Sequence, residues 1–423
     1  MARVRGRLRR RPTAAVLVAG GGAAGLAAAV ASARSGADTL LMERYGFLGG
    51  MATAGLVNPF MDWHAGGESL VAGIFQEVLD RMRAAGGFGH GREPKAFDPE
   101  VLKLVADEMC REAGVRVRFH TLVAAVTRAG DRISAIRTDS KSGRERWSAD
   151  VYVDCTGDAD LAFLAGVPCE QGREEDGLTQ PMTLNFRMAN VDTKLLPARG
   201  EINRLFVQAK AEGRLHQPRE NVLFFYTLRP GVLHFNTTRV VGMSGVSADD
   251  LSGAEIEGRR QAHELARFLV DKVPGFKRAY LEQSAAQIGV RETRRIRGDY
   301  TLTGDDVVQA RKFRDAIARS SYPVDIHSPL GEGTLIREVP AGDYYEIPYR
   351  CLLPVGLDNL LVAGRCVSAT HEGQSSLRVL PQCFAMGQAA GTAAAMAAAG
   401  AVSPREIPAS RLRAALRKQG QIV

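Results

Sequence analysis

The run Gly20-Gly21-Gly22-Ala23-Ala24-Gly25 constrains this chain more than any other stretch. It joins a short apolar run, Val16–Ala19, which reads as a buried strand, to an Ala-rich run, Ala23–Ser35, which reads as a helix stopping at Gly36. Thr39–Glu43 reads as the next strand. Strand, turn, helix and strand in so few residues form a right-handed βαβ unit. In the pattern G-x-G-x-x-G the first glycine makes the tight turn, the second admits a diphosphate against bare backbone, and Gly25 lets helix and strand approach closely. Free N–H groups and the positive dipole end of the helix stabilise a diphosphate there without any lysine. Glu43, 18 residues past Gly25, stands where a carboxylate bonds ribose hydroxyls. A glycine turn that merely connects strand to helix is the plainer alternative. The coincidence of strand, Ala-rich helix and spaced acid favours a dinucleotide.

Downstream, Ser69–Ala85 and Asp98–Ala113 have helical periodicity, the second with an Asp cap and Pro99 at its first position. Val115–Thr121, Val123–Arg128, Arg132–Thr138 and Arg144–Trp147 read as strands between turns, and Ala149–Cys155 as a buried strand stopping at Thr156-Gly157-Asp158. Beyond Gly166 the chain turns to polar loops, strands over Val222–Leu228 and Val232–Val240, and a long amphipathic helix over Asp249–Val273. Asn359–Gly364 is a last apolar strand, and Pro381–Ala399 a last Ala-rich helix with Gly387 and Gly391 spaced for close packing. The predicted class is α/β: a Rossmann-like domain in two parts, 13–165 and 342–423, interrupted by a mixed α+β cap, 166–341, and preceded by a disordered basic arm, 1–12.

The cofactor reading sharpens to FAD over NAD because Arg44 and then Gly49-Gly50-Met51-Ala52-Thr53 give a second close backbone approach just past the acid. Far downstream, Asn359–Arg365 is again a strand ending in glycine, and in a folded domain both blocks can flank one extended cofactor. With these blocks, and with Asp154-Cys155-Thr156-Gly157-Asp158, Arg291-Glu292-Thr293-Arg294-Arg295-Ile296 and Gly364-Arg365-Cys366-Val367-Ser368-Ala369-Thr370-His371-Glu372, the chain resembles the bacterial FAD-dependent oxidoreductases with a glutathione-reductase-type FAD domain. The resemblance covers nearly the whole sequence. It implies that Gly20, Gly22, Ala23, Ala24 and Gly25 meet the diphosphate, that Glu43 holds the adenosine ribose, and that Val123 lies on the strand reading the adenine edge. It also implies that Thr156, Gly157 and Asp158 close over the adenosine half. Many relatives carry Gly-Asp where this chain has Gly364-Arg365, and an arginine there can bond the diphosphate directly.

Chemistry is expected near the last helix. Pro381 in its first turn, with Ser375 and Ser376 before it, aims free N–H groups outward, and by resemblance this end faces the flavin pyrimidine and favours its reduced form. Ser376 is therefore a candidate cofactor contact. His371, seven residues after Gly364, is a candidate proton acceptor; a lone histidine is as often structural. Arg291, Arg294, Arg295 and Arg297 read as a salt-bridged face for at least two of the four, with Arg291 a candidate fork for a substrate carboxylate. Arg350 is a second candidate anion anchor at the domain interface, and His64 and His327 are lesser candidates.

Several classes are excluded on this reading. Arg3, Arg5, Arg7, Arg9, Arg10 and Arg11 carry six of the eight net positive charges, so no basic nucleic-acid-binding domain is expected. The arginine pair before an apolar run mimics a twin-arginine signal, but that run enters a glycine turn with no cleavage site. No uninterrupted apolar run reaches the ~20 residues of a membrane span. The six cysteines are scattered, without C-x-x-C or metal-ligand spacing, as in reduced cytoplasmic proteins. No second G-x-G-x-x-G marks an NADPH domain. The expected function is hydride transfer between a small organic substrate and FAD, with oxygen, a quinone or a carrier as the other redox partner. The alternative is an FAD-carrying electron-transfer subunit served by a separate iron–sulfur protein. Oligomeric state stays open, homo-oligomers included.

Overall fold

The computed structural model describes residues 14–423; the basic arm lies outside them. Five strands form an all-parallel sheet: β1 (Ala14–Ala19), β2 (Thr39–Met42), β3 (Arg116–Arg118), β4 (Ala149–Asp154) and β5 (Leu360–Val362), in the spatial order β5-β4-β1-β2-β3. The near-continuous apolar composition of β1, β2 and β5 suits strands covered on both faces. In register, Ala19 pairs with both Met42 and Asp154, and Asp154 also pairs with Val362. The carboxyl ends of β1, β2, β4 and β5 therefore finish side by side, where open α/β sheets hold their ligands.

Helix α1 (Ala23–Arg34) and the last long helix, α3 (Leu380–Gly400), pack in parallel on one face. Their contact is backbone to backbone: a Cβ on Gly387 would fall 2.1 Å from the Ala24 carbonyl oxygen, and one on Gly391 2.0 Å from that of Ala28. The two four-residue steps match, so both helices point their N-termini at the same sheet edge. Six residues of α3 precede the level of Ala23, so its first turn projects roughly 9 Å beyond that of α1. Between α1 and α3 in sequence lies α2 (His371–Leu377).

The crossover from β3 to β4 carries an antiparallel meander, Leu122–Ala129, Arg132–Ser140 and Gly143–Trp147. Between β4 and β5 the chain builds a four-stranded antiparallel sheet in the order Phe224–Tyr226, Leu233–Phe235, Phe186–Ala189 and Tyr280–Ser284. The helices Arg199–Ala211 and Ala248–Lys272 share a separate core with it around Phe186, Phe206, Phe235 and Phe268. Among the described residues no helix is long and apolar enough to cross a membrane.

Several elements are shorter than their sequence patterns predict. The helix expected over Ser69–Ala85 starts at Ile74, because Gly66-Gly67 turn a small hairpin, His64–Ala65 with Glu68–Ser69, and Gly73 adopts φ +64° just before it. The strand expected over Val115–Thr121 ends at Arg118, two residues before His120 at φ +50°. The Val232–Val240 pattern yields only Leu233–Phe235 as strand. Beyond it, Thr237 and Thr238 turn their hydroxyls onto the N–H groups of Leu223 and Leu184, replacing ladder bonds with side-chain ones.

Candidate functional site

Three hollows run end to end along the carboxyl edge of the sheet. The first, about 40 Å³, is lined by Gly20, Glu43, Arg44, Val123, Thr156 and Asp160. The second, about 110 Å³, shares Gly20, Glu43, Arg44 and Thr156 with it and adds Gly22, Ala23, Ala24, Gly50, Met51, Gly157 and Gly364. The third is a cavity of about 450 Å³, joined to the second through Met51, Arg365, Arg378 and Leu380, and walled on its far side by the antiparallel region, including Asn185, Arg219, Leu223, Phe225 and Asn236. The first two make one trench from β2 along the sheet edge, and it opens into the cavity beneath the cap.

The glycine turn is locked by the protein's own packing at two points and open at a third. A Cβ on Gly20, at φ +92°, would meet the Cys155 carbonyl oxygen at 2.5 Å, and one on Gly25 would meet the Gly20 oxygen at 1.7 Å. At Gly22 a Cβ would meet only Gly50 Cα, at 3.6 Å. The fold itself thus accepts a Cβ at Gly22, and glycine leaves bare backbone facing the trench. Gly22 is also the N-cap of α1 with no side-chain cap, as is Val379 for α3, so both helix N-termini keep free N–H groups at the trench. Glu43 accepts from the Gly21 N–H at 2.6 Å and the Tyr45 N–H at 2.9 Å, which fixes its buried carboxylate between the first two hollows. These features fit an extended dinucleotide with its diphosphate at α1.

The turn after β4 is organised by Asp154. This fully buried carboxylate accepts from the Thr156 N–H and hydroxyl and from the Ala162 N–H, at 3.0, 2.7 and 2.9 Å; burial pushes its pKa up. Nearby, Asp160 is pushed up to about 6 by burial and by Asp158 and Asp154, against the pull of Arg294 and Arg44.

The structure gathers most of the predicted cofactor residues at the trench, with Gly25, Gly49, Ala52 and Asp158 in the layer behind its lining. Four expectations need correction. Arg365 spends its guanidinium on the trench wall: Nε donates to Gly157 O, Nη1 to Val290 O and Nη2 to Asp158 Oδ1, at 2.8, 2.8 and 2.6 Å. It ties the turn after β4 to the Val290 segment instead of reaching for a diphosphate. Ser376 is fully buried, bonded to the Tyr322 carbonyl and the Tyr345 hydroxyl, and is absent from the trench. Arg350 lies away from the cavity, its Nε 2.9 Å from Asp315 and its side chain nearly half exposed. His371 opens α2 beneath its Thr370 cap, with Nδ1 2.9 Å from Glu292; it borders a different hollow, beside Arg173, Glu174 and Arg295. Seven residues past Gly364, the chain has already turned its side chain to the far side of Arg291-Glu292.

Arg291 does line the cavity, and it has company that the sequence reading missed. Its Nη1 donates to Pro181 O and Thr183 Oγ1 at 2.7 and 2.6 Å, and its Nη2 to Asn236 Oδ1 at 3.3 Å. Arg219 donates to Asn221 Oδ1 and to the carbonyl of the same Asn236. Arg378 reaches Gln180 Oε1 and the Asp325 carbonyl. Arg239 lies beneath, paired with Glu220 at 3.1 Å. Burial, then Arg378, Arg219 and Arg239, push the Arg291 pKa well down, and burial with Arg239 pushes Arg219 down to about 10. His327 is depressed by burial and by the same four arginines. It is therefore neutral, and because Arg239 Nη2 can only donate to Nδ1, its proton sits on Nε2. Asp325 accepts the Tyr322 hydroxyl on Oδ2 at 2.8 Å, and its Oδ1 stands 3.8 Å from His327 Nε2. The signal for this pair was the alternation Val324-Asp325-Ile326-His327: Val324 and Ile326 enter the core, and the two polar residues face the cavity. His64 is exposed beside Asp62. Among the described residues there is no metal-binding cluster of His, Cys, Asp or Glu.

A family model described as FAD dependent oxidoreductase matches residues 15–416. No curated protein sequence matches the chain. Among solved structures, similarity is found to a geranylgeranyl bacteriochlorophyll reductase-like protein from Thermoplasma acidophilum, at 14% identity over 96% of this chain and 82% of that one, TM-score 0.47. The p-nitrophenol 4-monooxygenase PnpA of Pseudomonas putida DLL-E4 is 11% identical over 96% and 88%, TM-score 0.48. The myxobacterial FAD-dependent chondrochloren halogenase CndH is 16% identical over 97% and 79%, TM-score 0.46.

Proposed function

The chain belongs to the FAD-dependent oxidoreductase family, and from that premise we propose that it moves a hydride between a small organic substrate in the arginine-lined cavity and FAD lying along the trench. Oxygen, a quinone or a carrier serves as the other redox partner. The observation that carries this reading is the continuity of the trench with a cavity large enough for a compact organic molecule, across the shared residues Met51, Arg378 and Leu380. An electron-transfer subunit needs no such cavity, which disfavours that alternative.

In this reading Gly20, Gly22 and the N-terminus of α1 bind the diphosphate, Glu43 bonds the ribose, and Val123 borders the adenine. The N-terminus of α3, whose Val379 N-cap has no side-chain cap, would offer its free N–H groups to the flavin when FAD is bound. FAD supplies a two-electron acceptor for a hydride leaving carbon. Asp325 Oδ1 would take the substrate's O–H or N–H proton, the carboxylate being held in place by Tyr322 through Oδ2 and by the Ser375 hydroxyl bonded to the Asp325 N–H. His327, with its proton on Nε2, donates toward the same point and orients the substrate.

Purified protein is expected to be yellow and to release FAD on denaturation; a colourless preparation that also fails to take up added FAD refutes the reading. Anaerobic bleaching of the flavin by small organic compounds then identifies the reductant. His371→Ala is expected to bleach at the wild-type rate, because its imidazole faces Glu292 and not the trench. It should still lose about 1–3 kcal/mol of stability, since the buried Glu292 forfeits a partner. A slowed reduction with FAD retained would return His371 to the catalytic list.

A further inference from the structure

Arg219, Arg291 and Arg378 are unusual in what they bond. All are buried or half-buried, and among the described residues their hydrogen bonds run only to neutral oxygens of Asn, Thr and Gln side chains and backbone carbonyls. Arg378 Nε is buried with no partner at all. Asn236 ties Arg219 and Arg291 together, one through its carbonyl and the other through its side chain. Guanidiniums withdrawn from water repel one another unless countercharge is supplied, and that repulsion is strong in a low-dielectric pocket.

The countercharge on the protein side falls short. Glu220 is taken by Arg239, which leaves Asp325 facing three guanidiniums, an excess of two positive charges around one cavity. FAD does not balance it. The bare backbone for a diphosphate lies at Gly20–Gly22, and although Arg378 borders both the second hollow and the cavity, Arg219 and Arg291 line the cavity alone. The same lining includes the apolar side chains of Met51, Val57, Met61, Leu223 and Phe225, which suit a short carbon skeleton.

Building on the hydride-transfer reading, we infer that the substrate is a compact organic dianion, either a dicarboxylate or a phosphate ester, whose anionic groups are held by Arg219, Arg291 and Arg378. Arginine forks bind both oxyanions in the same bidentate way. The Asn and Thr side chains fix the forks, and Asp325 is left beside the carbon end of the molecule.

The test titrates the holoenzyme with succinate, with glycerol 3-phosphate and with neutral succinamide, following the flavin absorbance spectrum and thermal stability. One or both dianions should perturb the spectrum and raise Tm, weakening with added salt, while succinamide does neither. Arg219→Gln and Arg378→Gln, each first shown to retain FAD, should weaken the dianion by roughly tenfold or more. Equal binding of succinamide, no response to either dianion, or unchanged affinity in both variants would overturn the inference. Its fate is separable from that of the hydride reading. Dianion binding in a protein whose flavin no organic compound bleaches supports the anion site and sinks hydride transfer. Bleaching by a neutral compound, with no dianion bound, does the reverse.

Discussion

Gly22→Val is expected to give a folded but colourless protein. A Cβ at this position meets nothing of the protein closer than Gly50 Cα at 3.6 Å, so the substitution does not strain the fold as one at Gly25 would, where the Gly20 oxygen is 1.7 Å away. The valine methyls instead occupy the ground over the uncapped N-terminus of α1, where the diphosphate must lie against backbone. Losing several charge-assisted N–H bonds at once should weaken FAD by about 4 kcal/mol, roughly a thousandfold. Circular dichroism and thermal melts of apo wild type and apo variant should coincide, while equilibrium dialysis with FAD separates them. Retention of FAD at wild-type affinity would show that the diphosphate lies elsewhere.

The second large effect is expected at Asp325. Asp325→Asn preserves the size of the side chain, leaves an oxygen to accept the Tyr322 hydroxyl, and keeps the backbone N–H on Ser375. FAD content and substrate affinity should therefore stay near wild type. The amide cannot take a proton, so anaerobic flavin reduction by substrate should slow by about 10²- to 10⁴-fold. Stopped-flow absorbance measures this directly. A reduction rate within a few-fold of wild type would remove Asp325 from the reaction and leave water as the proton acceptor.

The parts of the site that sequence made legible are those whose geometry is local. Gly20–Gly25 and Glu43 stand in one βαβ unit, so spacing alone fixes which backbone is bare and where the acid lies. Gly387 and Gly391 likewise announce a close helix contact, although not that its partner is Ala24-x-x-x-Ala28. Beyond Arg291 and His327, the substrate side was not legible because it is assembled from afar. Arg219, Asn236, Arg291, Asp325 and Arg378 come from five separate segments, and only the folded cap brings them round one cavity. Sequence separation also says nothing about side-chain direction: His371 and Arg365 belong to the same block after β5, yet one turns to Glu292 and the other to Gly157 and Asp158. Arg365 shows a further limit. Its charge suggested an anion, but Asp158 and two carbonyls already claim it.

The pairing of α1 with α3 also dictates an order of events in synthesis. The glycine turn leaves the ribosome early, but the opposite wall of the trench, Gly364 and Leu380, and the Gly387–Gly391 surface on which α1 rests, come from the far end of the sequence. Until that segment emerges, α1 has no Gly387–Gly391 surface to bury its alanines against, and the bare amides at Gly22 face an unfinished groove. Cofactor capture therefore waits for the residues from Gly364 to Gly391 to emerge. A ribosome-stalled chain ending before Leu380 would carry the fingerprint of a dinucleotide site without the means to hold one.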